Sequence, residues 1–159
     1  MLKNDEQGGE SRGTAWILLC LTVLFVIRVV AQLIQFWHPY PVLPSFEAWQ
    51  SGAVPYSLLL GVQVVIVGCC LRIIWRLFKG RVVPEITMGK IWLSLGGMYF
   101  LVMCIRLILG FTVAPDHFWF GAKLPTMFHF VLATFLLVYG RFHVTGVRPS
   151  MSIQKSEHV

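Results

Sequence analysis

The chain has 159 residues, 57% apolar and only 13% charged, with a formal net charge of +6 and a mean hydropathy of +0.73. A soluble domain carries charge at roughly twice that density, so composition excludes an ordinary water-soluble globule, and the length suits one compact unit. Most Lys and Arg residues fall at the ends of apolar runs, which favours membrane topology and headgroup contact over nucleic acid.

In chain order, residues 1–13 are polar and mix Asp5, Glu6 and Glu10 with Lys3 and Arg12. They read as a disordered tail. They lack the net positive charge of a signal-peptide n-region, and the apolar run that follows is too long for an h-region. Four apolar runs then predict helices over 14–36, 56–78, 89–111 and 126–142, within a membrane domain covering 14–145. Each can cross a hydrocarbon core of about 30 Å at about 1.5 Å per residue. Backbone groups in lipid must pair within their own segment, so all four are read as helices. Residues 146–159 read as a second disordered tail.

The expected fold is therefore an all-α, polytopic membrane protein, a four-transmembrane-helix bundle. Orientation follows from the basic residues. Lys79, Arg81 and their neighbours Arg72, Arg76 and Lys90 surround the second connection, and Arg141, Arg148 and Lys155 follow the fourth run. The connection 37–55 has no Lys or Arg, and 112–125 has only Lys123. The positive-inside rule places both termini in the cytoplasm and those two connections outside, with a bacterial inner (plasma) membrane as the expected compartment.

Aromatic residues are expected at both interfaces, Trp37, Tyr40, Phe46, Trp49, Tyr56, Phe118, Trp119 and Phe120 at the outer one and Trp16, Trp75, Phe78 and Phe142 at the inner one. In the first outer loop, Ser45 is expected to cap a short helix over 46–51, with Phe46 and Trp49 on a headgroup-facing side. The two hairpins also share a short pattern. Val26-Ile27-Arg28 matches Cys104-Ile105-Arg106, and Gly52-Ala53 before Pro55 matches Gly121-Ala122 before Pro125. Both hairpins run in the same direction, so the implied repeat axis lies along the membrane normal.

The four runs contain no acidic residue but hold Arg28 and Arg106. A guanidinium in hydrocarbon costs at least ~2.5–3.5 kcal/mol, so each needs compensation. One reading is a site for a small anionic or carbonyl-bearing ligand. The other is an internal brace to Glu47 or Asp116, folded back from the outer loops. Arg28, Gln32 and Gln35 are spaced i, i+4, i+7 and so line one stripe of the first helix. With Gln63, Tyr99, Arg106 and His129 at similar height, they outline a polar pocket between the helices.

Redox chemistry would use His129, with Arg106, on a quinone, or His129 with His38 on a haem. His38, Glu47, Asp116 and His117 have metal-ligating side chains without a ligand spacing, so no metal is expected. Cys20, Cys69, Cys70 and Cys104 all lie in apolar runs and read as packing residues. No nucleotide-binding, metalloprotease or nucleophile-elbow motif is present, and the apolar runs contain no G-x-x-x-G. The expected function is non-enzymatic: a ligand-binding or accessory membrane component with an outward-facing pocket. The alternatives are a haem- or quinone-binding redox protein and a small transporter or channel subunit. Expected partners are the lipid bilayer, a small ligand, and another membrane protein or further copies of the chain.

Overall fold

The computed structural model describes residues 2–49, 54–113, 117 and 119–147, with the backbone alone for 2–8. It holds helices α1 (Leu2–Trp37), α2 (Tyr56–Phe78), α3 (Ile86–Thr112) and α4 (Lys123–Thr145), and a 3-10 turn, Phe46–Trp49. The described residues contain no strand. All four helices are long and apolar enough to span a membrane. Together with the composition, this supports a membrane protein.

Helix α1 extends further than the sequence suggests. The expected tail 1–13 continues as helix from Leu2, so at about 1.5 Å per residue the 36 residues of α1 reach ~54 Å. Polar contacts explain part of this extension. Ser11 is buried and donates to the Leu77 carbonyl at 3.4 Å. Glu10 accepts from the Thr145 hydroxyl at 3.3 Å, and its carbonyl accepts from Thr14 at 3.0 Å. The expected C-terminal tail lies outside the described residues from position 148 onward.

The buried face of α1 comprises Ser11, Ala15, Leu18, Thr22, Phe25, Arg28, Gln32 and Gln35. These alternate by three and four residues, the seam that lets neighbouring helices interdigitate at a shallow angle. The seam carries small or apolar side chains as far as Phe25 and large polar ones beyond it. The first part joins Cys70, Ile74 and Leu77 of α2 and Phe135 and Phe142 of α4 in one cluster around Ala15 and Leu18. We call this the basic end, because it adjoins the connection bearing Lys79 and Arg81. The other end, with Trp37, Tyr56, Thr112 and Lys123, is the aromatic end.

Helix α1 packs on α2 and α4, and α4 packs on α3, while α2 and α3 make no close backbone approach. The order of close approaches is thus α2–α1–α4–α3, a row left open between α2 and α3. In lipid a row is tolerable, since the outer faces of α2 and α3 are apolar and need no cover from water. The row also corrects the expected repeat axis. A two-fold axis along the membrane normal would exchange α1 with α3 and α2 with α4, pairing an α1–α4 contact with an α2–α3 contact. The hairpins instead stand side by side in the same sense.

The α3–α4 contact is the closest. Gly89, Gly96 and Gly110 are buried on one face of α3. A methyl on Gly89 or Gly96 would press on His143, Val144, Leu136 or Leu137 of α4. Gly140 of α4 similarly accepts Trp92 and Leu93 of α3. Gly61, Gly68 and Gly97 are different: a methyl there would meet nothing within 4 Å. Cys20 and Cys69 are exposed, Cys70 is buried, and all four cysteines are free.

Candidate functional site

Helix α1 presents Arg28, Gln32 and Gln35 on its buried face, as the i, i+4, i+7 spacing predicts; Arg28 is 6% exposed and Gln32 is 0%. The Arg28 guanidinium donates through Nη2 to the backbone carbonyl of Trp49 at 2.7 Å. It also lies over the ring of Phe128 on α4, 5.7 Å from the centroid. Its Nε, equally buried, has no partner. One turn further, Gln32 Oε1 accepts from Gln63 Nε2 of α2 at 3.4 Å. Gln32 Nε2 and Gln63 Oε1 remain unpaired, and so does the buried Tyr56 hydroxyl at the start of α2. Gln35 is occupied at the helix end, accepting from the Tyr40 backbone N–H at 3.0 Å.

The loop between α1 and α2 folds inward. The 3-10 turn begins with the Ala48 N–H donating to the Ser45 carbonyl at 2.9 Å, a main-chain closure in place of the expected side-chain cap. Trp49 is 7% exposed, so it does not lie among headgroups. Its indole donates to the Pro44 carbonyl at 3.0 Å. Its ring stacks on Phe128 with centroids 6.3 Å apart. Phe46 meets Phe36 at 5.3 Å and Tyr56 at 5.1 Å. The expected continuation of this helix over 50–51 lies outside the described residues.

The second hairpin repeats the motif with other parts. Arg106 of α3 donates through Nε at 3.1 Å and Nη2 at 2.7 Å to the Trp119 carbonyl. The ring of that same tryptophan lies 4.4 Å from the guanidinium carbon. Gly110, one turn above Arg106, makes room for this loop, because a Cβ there would collide with the Phe120 carbonyl. Tyr99, seven residues below Arg106, places its hydroxyl 2.6 Å from His129 Nδ1 of α4. In the tautomer where Nδ1 accepts from the phenol, the ring proton sits on Nε2.

The predicted residues thus fall into two groups. Arg28, Gln32 and Gln63 form one between α1 and α2; Tyr99, Arg106 and His129 form the other between α3 and α4. Phe128 links them, carrying Arg28 and Trp49 on its faces one position before His129. Glu47 is not the arginine partner expected. Glu47 is exposed and makes no ion pair, and no ion pair forms among the described residues. Asp116 lies outside the described residues. A solvated carboxylate gains little from entering hydrocarbon, whereas a loop carbonyl already needs a donor there.

The other histidines are dispersed. His38 lies in a groove of about 680 Å³ with Leu33, Ile34, Trp37, Tyr40, Val42 and Leu43, all from the end of α1 and its loop. His117 accepts from the Trp119 N–H at 3.2 Å. His143 is buried at the basic end and accepts from the Glu85 N–H at 3.2 Å. No contact joins His38 to His129, and no group of three or more metal-ligating side chains gathers among the described residues.

Sequence reasoning missed the Trp49 and Trp119 carbonyls and the Phe128 ring. The repeat offered a signal for the first two, since each arginine is followed by a loop tryptophan ahead of the next helix. No family model, no curated protein and no solved structure matches this chain.

Proposed function

We propose that this chain is a non-enzymatic component of a plasma membrane, of the bacterial inner-membrane type, with both termini cytoplasmic. Its task in this reading is to hold a small carbonyl- or carboxylate-bearing ligand in a pocket that opens toward the outside. One observation carries the reading: Arg28 Nε, Gln32 Nε2 and Gln63 Oε1 are buried together without partners. Buried polar groups are nearly always satisfied, and each orphan costs ~1–3 kcal/mol. Two donors and one acceptor side by side suit a ligand that offers an oxygen pair and a proton. The Lys and Arg distribution supports the orientation.

Mass spectrometry of the denatured, purified protein should release a co-purifying small molecule in near-stoichiometric amount. The double variant Gln32→Leu/Gln63→Leu should lose it. Protein that carries no such molecule, with a double variant at least as stable as the wild type, would end this reading. Orientation is tested separately by cysteine labelling. Probes at Ser51 or Ala122 should react from outside, and probes at Gly80 or Ser150 should not; the reverse pattern overturns the outward pocket.

A second reading rests on the Tyr99–His129 pair at 2.6 Å. A quinone carbonyl is a suitable acceptor for His129 Nε2–H, which makes no hydrogen bond to the described residues. Near-ultraviolet absorbance that changes on reduction of the purified protein would favour it over the first. The haem form has less support, since His38 and His129 share no contact. The transporter reading has less support too, because an open row encloses no path within one chain.

A further inference from the structure

The strongest uncommitted feature lies at the opposite end from the polar pocket, on the face of α2 turned away from α1. The buried residues of α2 are Gln63, Cys70, Ile74 and Leu77. Opposite them by helical phase stand Arg72 and Arg76, with the half-exposed Trp75 between them. The chain then reverses direction through Lys79 and Gly80. Gly80 takes a φ of 61°, a conformation that suits glycine. The reversal is pinned by the Arg81 N–H donating to the Arg76 carbonyl at 2.9 Å. It brings the Arg81 guanidinium to 5.3 Å from the centroid of the Trp75 ring.

Arg81 thus lies over this exposed indole, and Arg72, Arg76 and Lys79 stand within about a turn of Trp75 along α2 and its C-terminal cap. None makes an ion pair with a described residue, although Glu85 is only four positions beyond Arg81. Like charges one helical turn apart repel. The helix dipole favours cations in the last turn, which helps Arg76 and Lys79 and falls off before Arg72. By its backbone α2 approaches only α1, and Arg72 and Trp75 are exposed, while Arg76 lies within electrostatic reach of Tyr139 on α4. Away from the connection the same face continues through Gly68 and Gly61, where a side chain would meet nothing within 4 Å.

We propose that this face of α2 is a specific site for an anionic membrane phospholipid whose headgroup carries two phosphates. Guanidinium groups bind phosphate oxygens in pairs, and a second phosphate engages the cations that the first leaves free. The indole occupies the interface beside the headgroup, where Trp is favoured, and an acyl chain lies along the Gly68–Gly61 stretch. The occupant is drawn from the bilayer itself. Nothing in this site depends on the polar pocket or on which side of the membrane the basic end faces.

The test is native mass spectrometry of the full chain, released from micelles containing diphosphatidylglycerol and phosphatidylglycerol at equal total phosphate. The expected result is one retained diphosphatidylglycerol per chain. Arg72→Gln/Arg76→Gln/Arg81→Gln should reduce that retention at least tenfold. Lys90→Gln/Arg141→Gln, which removes cations of the same end from α3 and α4, should leave it unchanged. Should the triple variant fail to fold by circular dichroism, Arg81→Gln alone, in the exposed connection, should still lower retention several-fold. Equal retention of the two lipids, a graded series of bound lipids without a preferred stoichiometry, or an equal loss in the α3–α4 variant would overturn the proposal.

Discussion

Arg28 and Arg106 occupy matching places in the two hairpins, and each donates to the backbone carbonyl of a loop tryptophan. The details differ in an instructive way. Arg106 spends two N–H groups on one carbonyl and receives the ring of the same residue, so its latch closes within one hairpin. Arg28 spends one N–H on Trp49, keeps Nε unpaired, and rests on a ring from the other hairpin. The second latch is self-contained and more fully satisfied. The first ties the hairpins together and leaves hydrogen-bonding capacity over. One position thus serves mainly to hold a loop, while its counterpart retains the means to bind something else.

The largest effect should come from the satisfied latch. Arg106→Leu should lower stability in detergent by about 2–3 kcal/mol, since hydrogen bonds to charged groups contribute roughly 1.5–3 kcal/mol. A thermal melt followed by circular dichroism checks it. Gly110→Ala should come next, at about 2 kcal/mol, because its methyl would strike the Phe120 carbonyl and overpacking costs about 1–3 kcal/mol. Its near-ultraviolet spectrum should also report a displaced Trp119.

Arg28→Leu should cost less, about 1.5 kcal/mol in ligand-free protein, the low end for one bond from a charged group. A loss equal to that of Arg106→Leu would break the comparison. In ligand-loaded protein the two losses should converge, which would sharpen it. The smallest effect belongs to Glu47→Gln. With no ion pair to lose, it should shift stability by less than about 0.5 kcal/mol. A loss above ~1 kcal/mol would restore the acid brace that the sequence suggests.

What the sequence made legible follows from what hydropathy and periodicity encode. The four spans were readable because backbone in lipid has few options and 23 to 29 residues of apolar helix leave a strong trace. The inward stripe of Arg28, Gln32 and Gln35 was readable from helical phase. The arginine partners were not, because every residue carries a carbonyl and composition does not single out those of Trp49 and Trp119. The burial of Trp49 was hidden for a related reason. Trp in an outer loop suits an interface, whereas here Arg28 and the Phe128 ring, both from distant segments, draw it inward. Neighbour order was also beyond reach. Hydropathy counts helices, whereas the row α2–α1–α4–α3 depends on glycines that permit approach between α3 and α4. Gly96 and Gly97 look equivalent in the sequence, yet only Gly96 faces α4.

The position of the apolar cluster has a mechanical consequence. Leu18, Leu77, Phe135 and Phe142 grip the helices near the basic end, whereas the aromatic end relies on a few directional bonds and ring contacts. Such an assembly behaves like tweezers, with a stiff pivot at one extremity and tips that diverge by lever action. By lever geometry, any tilt at the pivot would separate Gln32 from Gln63 more than it separates Leu18 from Leu77.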